Sequence, residues 1–480
     1  MKKPVFKKIQ HLLSRLIKAH TLFLIIGLPA LMAFIFVLPH GWGLDEQVHV
    51  ARAYQLSEGN IYPDRISEKS YGGQIPVSLV RLLEFGHSES NTVDRTSQFF
   101  ARKDIRHPDI QAALEGAKID QDNKTTYDFG PTGPYAPVVY APAALGIAIG
   151  RVMDVPIGAT LTLAKIVQAF FYLLLCYISI YILRNYKLKW IVFMLALLPA
   201  SIFQAATINA DVVTIAGSFL FLAAVLSLFM DKKKASVRML ALVAGASILL
   251  SMTKPSYAIF LLIIPFIPTS VFSTAKVAWV YKSAVLAVAL IVLGLVSLKG
   301  LAYSDTILAY RDAATAANIS LGRQIVWTLT HPLDFLVILA ESTIVNMYEW
   351  QTSFIGLLGY NTIAAPNPLQ AIVLFSLFIA VLYVEKIPKV AAYLFVGLGI
   401  ISLLSIIFLL YGTFNPVGST SIIGVQGRYF IPSMAFVMIG FAGLVRLRMD
   451  TNKTNVPAIL ISISAASLYA MLIFYIVALY

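Results

Sequence analysis

The chain is 480 residues long, 58% hydrophobic and only 13% charged, with a mean hydropathy of +0.78 and a formal net charge of +13. This balance excludes an ordinary water-soluble globular protein. The excess of cations lies in the N-terminal segment and alternate connections between apolar runs, which removes the nucleic-acid reading that a basic chain otherwise invites.

A basic segment, 1–20, carries Lys2, Lys3, Lys7, Lys8, Arg15 and Lys18 and leads into the first apolar run, 21–38. That run exits through Pro39-His40-Gly41-Trp42 without a small-x-small cleavage pattern, so a retained helix is expected rather than a signal peptide. Residues 39–157 form one large segment outside the membrane, with Gly72-Gly73, a helical patch at 77–85 and a polar run at 120–126. Its last apolar piece, 138–152, is shorter than the ~20 residues needed to cross hydrocarbon and is expected to be interfacial or re-entrant.

Six expected spans follow in 158–298, at 158–183, 190–206, 212–230, 239–251, 258–272 and 283–298. A second outward segment, 299–368, contains an apolar stretch, 325–345, broken by His331, Pro332 and Asp334. It too reads as interfacial or re-entrant, with a pair of missed crossings as the alternative. Four more spans occupy 369–480, at 369–384, 390–411, 432–444 and 456–479. The expected fold is thus an all-α integral membrane protein with about eleven transmembrane helices and interfacial helices in the first large extracytoplasmic loop.

Orientation comes from charge. The N-terminal segment and every second connection, among them Arg184, Lys187, Lys189, Lys232, Lys233, Lys234, Lys276, Lys386, Arg446, Arg448 and Lys453, hold twenty basic residues against Asp231, Glu385 and Asp450. The positive-inside rule then puts the N-terminus in the cytoplasm and the long segments outside. Cys176, the single cysteine, lies in an apolar run, so neither an intramolecular disulfide nor a cysteine metal site is available. The seven histidines lack metal-ligand spacing, and there is no Walker loop or G-x-G-x-x-G fingerprint. No metal site or cofactor is therefore assigned, with a divalent cation left open. No internal repeat is evident, which weighs against a repeat-built transporter.

Several groups of residues carry chemistry. Asp45 and Glu46, in Gly43-Leu44-Asp45-Glu46-Gln47-Val48-His49, offer a general base just beyond the first span. Adjacent side chains diverge, so one of them is the base; the competing reading is an acidic helix N-terminus. The segment from Asp128 through Tyr135 to Tyr140 and Pro142 reads either as an interfacial aromatic belt or as a cradle for an isoprenoid-linked substrate. Asn209 and Asp211 either cap the helix that follows or join an acidic site.

Lys254 and Arg428 sit at outer span ends, against the topology rule, beside Tyr257 and Tyr429. Lys165 lies in the outer half of its span. Cations so placed suit a lipid phosphate, snorkelling to head groups being the competing reading. The tract 349–366, with Trp350, Gly356, Gly359 and Tyr360, is a candidate lid.

Taken together, Asp45-Glu46-x-x-His49, Tyr135-x-Pro137-x-x-Tyr140-x-Pro142, Asn209-x-Asp211, Lys254-Pro255-x-Tyr257, Gly356-x-x-Gly359 and Gly427-Arg428-Tyr429-Phe430-x-Pro432 resemble a bacterial membrane-protein family catalogued as domain of unknown function 2142. That family in turn resembles the C-type (GT-C) membrane glycosyltransferases. The resemblance implies eleven or more helices, a catalytic carboxylate at Asp45 or Glu46 in the first outer loop, and a polyprenyl-phosphate sugar donor. It implies transfer, with inversion, to a cell-envelope polysaccharide or lipid acceptor at the outer face of the bacterial plasma membrane. Phosphate or substrate contacts are expected from Arg428, Lys254, His49, Asp211, Tyr135, Tyr257 and Tyr429. Membrane lipids are the other expected partners, nucleic acid is not, and a flippase for lipid-linked sugars or a polysaccharide polymerase or ligase stands as the alternative.

Overall fold

A computed structural model describes residues 18–67, 70–91, 107–231, 233–303, 313–447, 449 and 455–479. Lys2, Lys3, Lys7, Lys8, Arg15, Lys232, Arg448, Asp450 and Lys453 of the charge pattern lie outside the described residues.

The first helix, α1 (Ala19–Val37), starts two residues before the expected run and buries Phe23, Ala30, Leu31 and Phe34, while Pro29 faces outward. The segment after it holds helix α2 (Glu46–Ser57), strands β1 (Asp64–Arg65) and β2 (Tyr71–Pro76), helices α3 (Val77–Asn91) and α4 (Pro108–Gly116), and strand β3 (Lys124–Asp128). The strands form an antiparallel sheet in the order β1-β2-β3, with Gly72 opposite Asp128 and Ile75 opposite Thr125. The all-α expectation is corrected here. The polar run 120–126 alternates too weakly to announce a strand, and Gly72-Gly73 reads as a turn in sequence. A Cβ on Gly72 would stand 1.9 Å from the Tyr127 carbonyl oxygen, so it is the cross-strand approach that requires glycine.

Helix α5 (Ala141–Val152) is too short to cross a bilayer and folds back antiparallel on the N-terminal half of α6 (Ile157–Ile182). Two small residues four apart set this contact: a Cβ on Gly146 would meet the Ala164 backbone at 2.4 Å, and one on Gly150 would meet Thr160 at 2.7 Å.

Next come α7 (Lys189–Ala196) and α8 (Pro199–Ala206), bent 56° apart where Pro199 opens the second arm. Helix α9 (Asp211–Met230) is hydrophobic all round and completely enclosed, the central post of the bundle. It is followed by α10 (Val237–Ser251) and a 3-10 helix, Pro255–Phe266. The expected α-helical span 258–272 is thus a tighter helix broken by Pro265 and Pro268, and at ~2.0 Å per residue its twelve residues still reach about 24 Å.

Helix α11 (Ala275–Leu301) lies at the periphery. Helices α12 (Leu321–Thr330) and α13 (Pro332–Ile355) form an elbow bent by 109° at His331-Pro332, where the sequence interrupts its apolar stretch. A hairpin of β4 (Leu357–Leu358) and β5 (Ile363–Ala364) leads to α14 (Asn367–Tyr383), α15 (Lys389–Phe414), α16 (Ile431–Leu444) and α17 (Val456–Leu479).

Among the described residues, seven helical segments are long and apolar enough to cross a membrane, and nine if each bent pair counts as one span. The expected eleven also counted α10, the 3-10 helix and α14, which are shorter than a full crossing. A second hydrophobic core joins the segment after α1 to the bundle, packing Val50, Tyr54, Ile75, Leu82 and Phe129 with Ile147, Leu161 and Val213. That segment is therefore fixed on α6 and α9. Gly146→Leu is expected to separate α5 from α6 and, like other overpacked contacts, to cost at least ~1–3 kcal/mol; a lower melting temperature and early protease cleavage between α5 and α6 in detergent would report it.

Candidate functional site

The chain leaving α1 is held by one buried carboxylate. Glu46 is fully enclosed; its Oε2 accepts from the backbone N–H groups of Gly41 at 3.2 Å and Gly43 at 3.0 Å, and its Oε1 accepts from the Ile208 N–H at 3.1 Å. Lys165 Nζ lies 3.4 Å from Oε1, and neither side chain is more than 1% exposed. These contacts tie the 39–46 strap to α6 and to the turn before α9. Glu46 is thus occupied by structure, and Lys165, a candidate phosphate cation from sequence, is its buried counter-ion. Of the two expected catalytic carboxylates, only Asp45 lines a cavity.

Asp45 takes a left-handed backbone, φ 56°, immediately before α2, and this turn sends its side chain the opposite way from Glu46. The cavity it borders has a volume of about 930 Å³. His49, four residues on and so on the same face of α2, lines it with Tyr135, Thr132, Gln426 and Tyr429, against an apolar wall of Leu410 and Phe414. His49 Nδ1 is 2.7 Å from the Tyr140 hydroxyl, which leaves Nε2 as the ring nitrogen available to a ligand. Burial, only partly offset by Asp45 and Asp211, brings the His49 pKa down to about 4, so the imidazole is neutral near pH 7. Burial likewise raises the Tyr135 and Tyr140 phenols, which stay protonated. Arg52, buried in α2, stands 5.9 Å over the Tyr140 ring and is hydrogen-bonded to Gln55 and the Asn60 carbonyl, so it braces the tyrosine that holds His49.

The cations assemble on the other side. Asn209 Oδ1 accepts from the Asp211 N–H at 2.8 Å, a turn before α9 rather than the expected cap, since the N-cap position is Ala210 and carries no side-chain cap bond. The Asp211 carboxylate bonds Lys254 Nζ and lies 3.4 Å from Arg428 Nε. Lys254 stands 4.1 Å from the Tyr429 ring centre and 5.6 Å from that of Tyr135. Tyr257 donates its hydroxyl to the Tyr429 carbonyl at 2.6 Å. Lys254, Tyr257, Tyr135 and Tyr429 line a smaller recess of about 180 Å³ that shares Tyr135, Leu410 and Tyr429 with the main cavity.

The eight residues Asp45, His49, Tyr135, Asp211, Lys254, Tyr257, Arg428 and Tyr429 therefore gather at one end of the bundle. Arg428 and Asp211 stand behind the wall rather than on it. Gly427 allows this, since a Cβ there would lie 1.7 Å from the Trp350 carbonyl oxygen; its N–H donates to Ser353 Oγ at 2.6 Å. His87 was not anticipated from sequence. It reaches the rim on α3 and packs edge-on against Tyr360, 5.0 Å away at the tip of the β4–β5 hairpin, within the tract expected to form a lid. Nothing in the spacing around His87 signals this. Thr132 lies within the Asp128–Tyr140 segment and Gln426 directly precedes the Gly427-Arg428 motif, and neither residue type marks a cavity position by itself. No group of three or more His, Cys, Asp or Glu among the described residues is placed to hold a metal ion.

The family described as Predicted membrane protein (DUF2142) matches residues 28–437, from within α1 to within α16. The chain belongs to that family. No curated protein and no solved structure matches it. The matched region of this DUF2142 protein includes the Glu46–Lys165 pair and every residue gathered at the cavity.

Glu46→Gln removes the charge that compensates Lys165 and is expected to destabilise the fold by about 3–5 kcal/mol, as for other broken buried pairs. Combining it with Lys165→Met is expected to restore much of the loss, read as melting temperature in detergent. Acid behaviour gives a separate check. Because the folded-state pKa of His49 lies below its ordinary 6.5, its share of stability is present above pH ~6.5 and is lost as pH falls towards about 4. A shallower fall of melting temperature across that window in His49→Gln than in the wild type is the expected result.

Proposed function

We propose that this chain is a membrane glycosyltransferase of GT-C type that moves a sugar from a polyprenyl-phosphate donor to a hydroxyl of an envelope polysaccharide or lipid. The observation that carries the reading is the pairing of one cavity-facing carboxylate, Asp45, with a lysine, Lys254, in the recess that joins the same cavity. Asp45 takes the proton from the acceptor hydroxyl. The freed oxygen bonds the anomeric carbon as the bond from that carbon to the phosphate oxygen breaks, inverting the centre. The departing phosphate carries away the electron pair and is met by Lys254.

Lys254 and Arg428 are balanced by Asp211 and Asp45, so once Asp45 takes the proton this corner gains one excess positive charge for the leaving group. Arg428 acts by holding Asp211, and its Nε has no hydrogen-bond partner among the described residues. Neutral His49 and the tyrosines supply hydrogen bonds for the sugar without competing for the proton. Ile406, Leu409 and Leu410 of α15 line the recess and give a lipid-borne donor an apolar approach from the bilayer. We assign α10, the 3-10 helix and α14 as tilted or short crossings and the bent α12–α13 pair as re-entrant; with the seven long segments and the α7–α8 pair, this brings the count to eleven. With the basic connections facing the cytoplasm of a bacterium, the cavity opens outside its plasma membrane. The donor is then met where nucleotide sugars are absent.

Transfer from a synthetic polyprenyl-phosphate sugar by the purified protein tests this. Asp45→Asn keeps a residue tolerant of the left-handed backbone and is expected to lower the rate by ~10²–10⁴-fold with an unchanged melting temperature. Lys254→Gln is expected to slow transfer from donors with poorly leaving phosphates more than from donors with activated leaving groups. Unimpaired transfer by Asp45→Asn would overturn the assignment.

A further inference from the structure

The opposite end of the bundle holds a second cavity, of about 520 Å³, with a different character. Four cations line it, Lys18 at the start of α1 and Arg184, Lys187 and Lys189 from the short connection between α6 and α7, and no carboxylate does. None of the four forms an ion pair among the described residues. Arg184 donates to the Tyr181 carbonyl at 3.0 Å, Lys189 donates to the Arg184 carbonyl at 2.8 Å, and Lys187 Nζ rests 4.5 Å from the Tyr383 ring centre. The nearby acid, Glu385, has both oxygens on the Lys187 backbone N–H, at 2.8 and 2.9 Å, and its charge reaches Lys189, so the four cations keep an excess of three. The remaining repulsion around a concave surface is relieved when an anion binds.

The walls identify the kind of anion. Tyr181, Trp190 and Tyr383 are amphipathic rings of the sort found at head-group depth. On the α6 face that carries Tyr181, Leu174 and Phe170 are exposed two and three turns deeper, at 40% and 65%, forming an apolar track that starts at the cavity. A free phosphate has no use for such a track, whereas an acyl chain does.

We propose that this cavity is a binding site for the phosphate head group of an anionic membrane lipid, with the acyl chains lying along α6 and α1. The site is separate from the sugar-transfer reading and stands or falls without it. Basic pockets between spans at the cytoplasmic face take such head groups, each nearby cation contributing about 1 kcal/mol.

Native mass spectrometry of the full-length protein, delipidated in detergent and titrated with cardiolipin, phosphatidylglycerol or phosphatidylcholine, tests it. One tightly held cardiolipin or phosphatidylglycerol is expected, with phosphatidylcholine far weaker. The triple variant Arg184→Gln/Lys187→Gln/Lys189→Gln is expected to weaken that binding roughly 100-fold. Lys233→Gln/Lys276→Gln/Lys386→Gln, which removes three exposed cations at the same end but outside the cavity, is expected to leave it within about threefold, the weak screened effect of surface charge. Equal losses in the two triple variants would show diffuse surface attraction and overturn the site. Displacement of the lipid by millimolar inorganic phosphate would overturn the lipid assignment in favour of a soluble anion. If the first triple variant does not fold, Arg184→Gln alone carries the test, with about fivefold weakening expected and none refuting.

Discussion

Burying a carboxylate and an ammonium together is costly unless their hydrogen-bonding capacity is met; Glu46 is held by three backbone N–H groups, while Lys165 Nζ, without a hydrogen bond among the described residues, depends on its 3.4 Å approach to that carboxylate. The strap leaving α1 has few apolar side chains of its own to bury. Its path is set instead by Gly41 and Gly43, whose amides converge on one acid. With that acid fixed inward at the first residue of α2, the residue before it is forced into a left-handed turn and points the other way. The orientation of Asp45, the position of His49 one turn later, and the docking of α2 against the Tyr135–Tyr140 segment all follow from this pair.

The rest of the cavity is assembled by close backbone approaches. Gly146 and Gly150 lay α5 on α6, and Gly427 lets the chain before α16 touch α13, which carries Tyr429 over Lys254. The eight gathered residues thereby reach one corner from five separated stretches of chain. Asp211 is central to it, because it begins the enclosed post α9 and also holds both cations of the site.

Much of this was legible in the sequence, for reasons that differ by element. The long helices α1, α6, α9, α11, α15 and α17 are continuous apolar runs whose ends are marked by charge or proline, and their expected limits fall within a few residues of the observed ones, the start of α11 excepted. The break at His331-Pro332 could be placed but not its angle, since an angle depends on what each arm packs against, whereas the bend at Pro199 falls inside the expected continuous span 190–206. The three-stranded sheet was missed because its middle strand contains two glycines and its neighbours are short and polar, so no alternating pattern exists to be read. Asp45 and Glu46 were recognised as a pair whose members must diverge, yet which faced inward depended on Lys165, more than a hundred residues away. Lys165 itself looked like a ligand contact, because an isolated cation in an apolar run gives no sign of its partner.

The complete enclosure of α9 has a mechanical consequence. A bilayer thicker or thinner than the apolar belt acts only on helices that touch lipid, and α11, packed on one side against α10 and the 3-10 helix and otherwise open, is the helix placed to tilt and absorb the mismatch. The post that carries Asp211 is shielded from that load. The corner holding the two cations should therefore keep its dimensions in membranes of differing thickness, with the adjustment confined to the sheath around it.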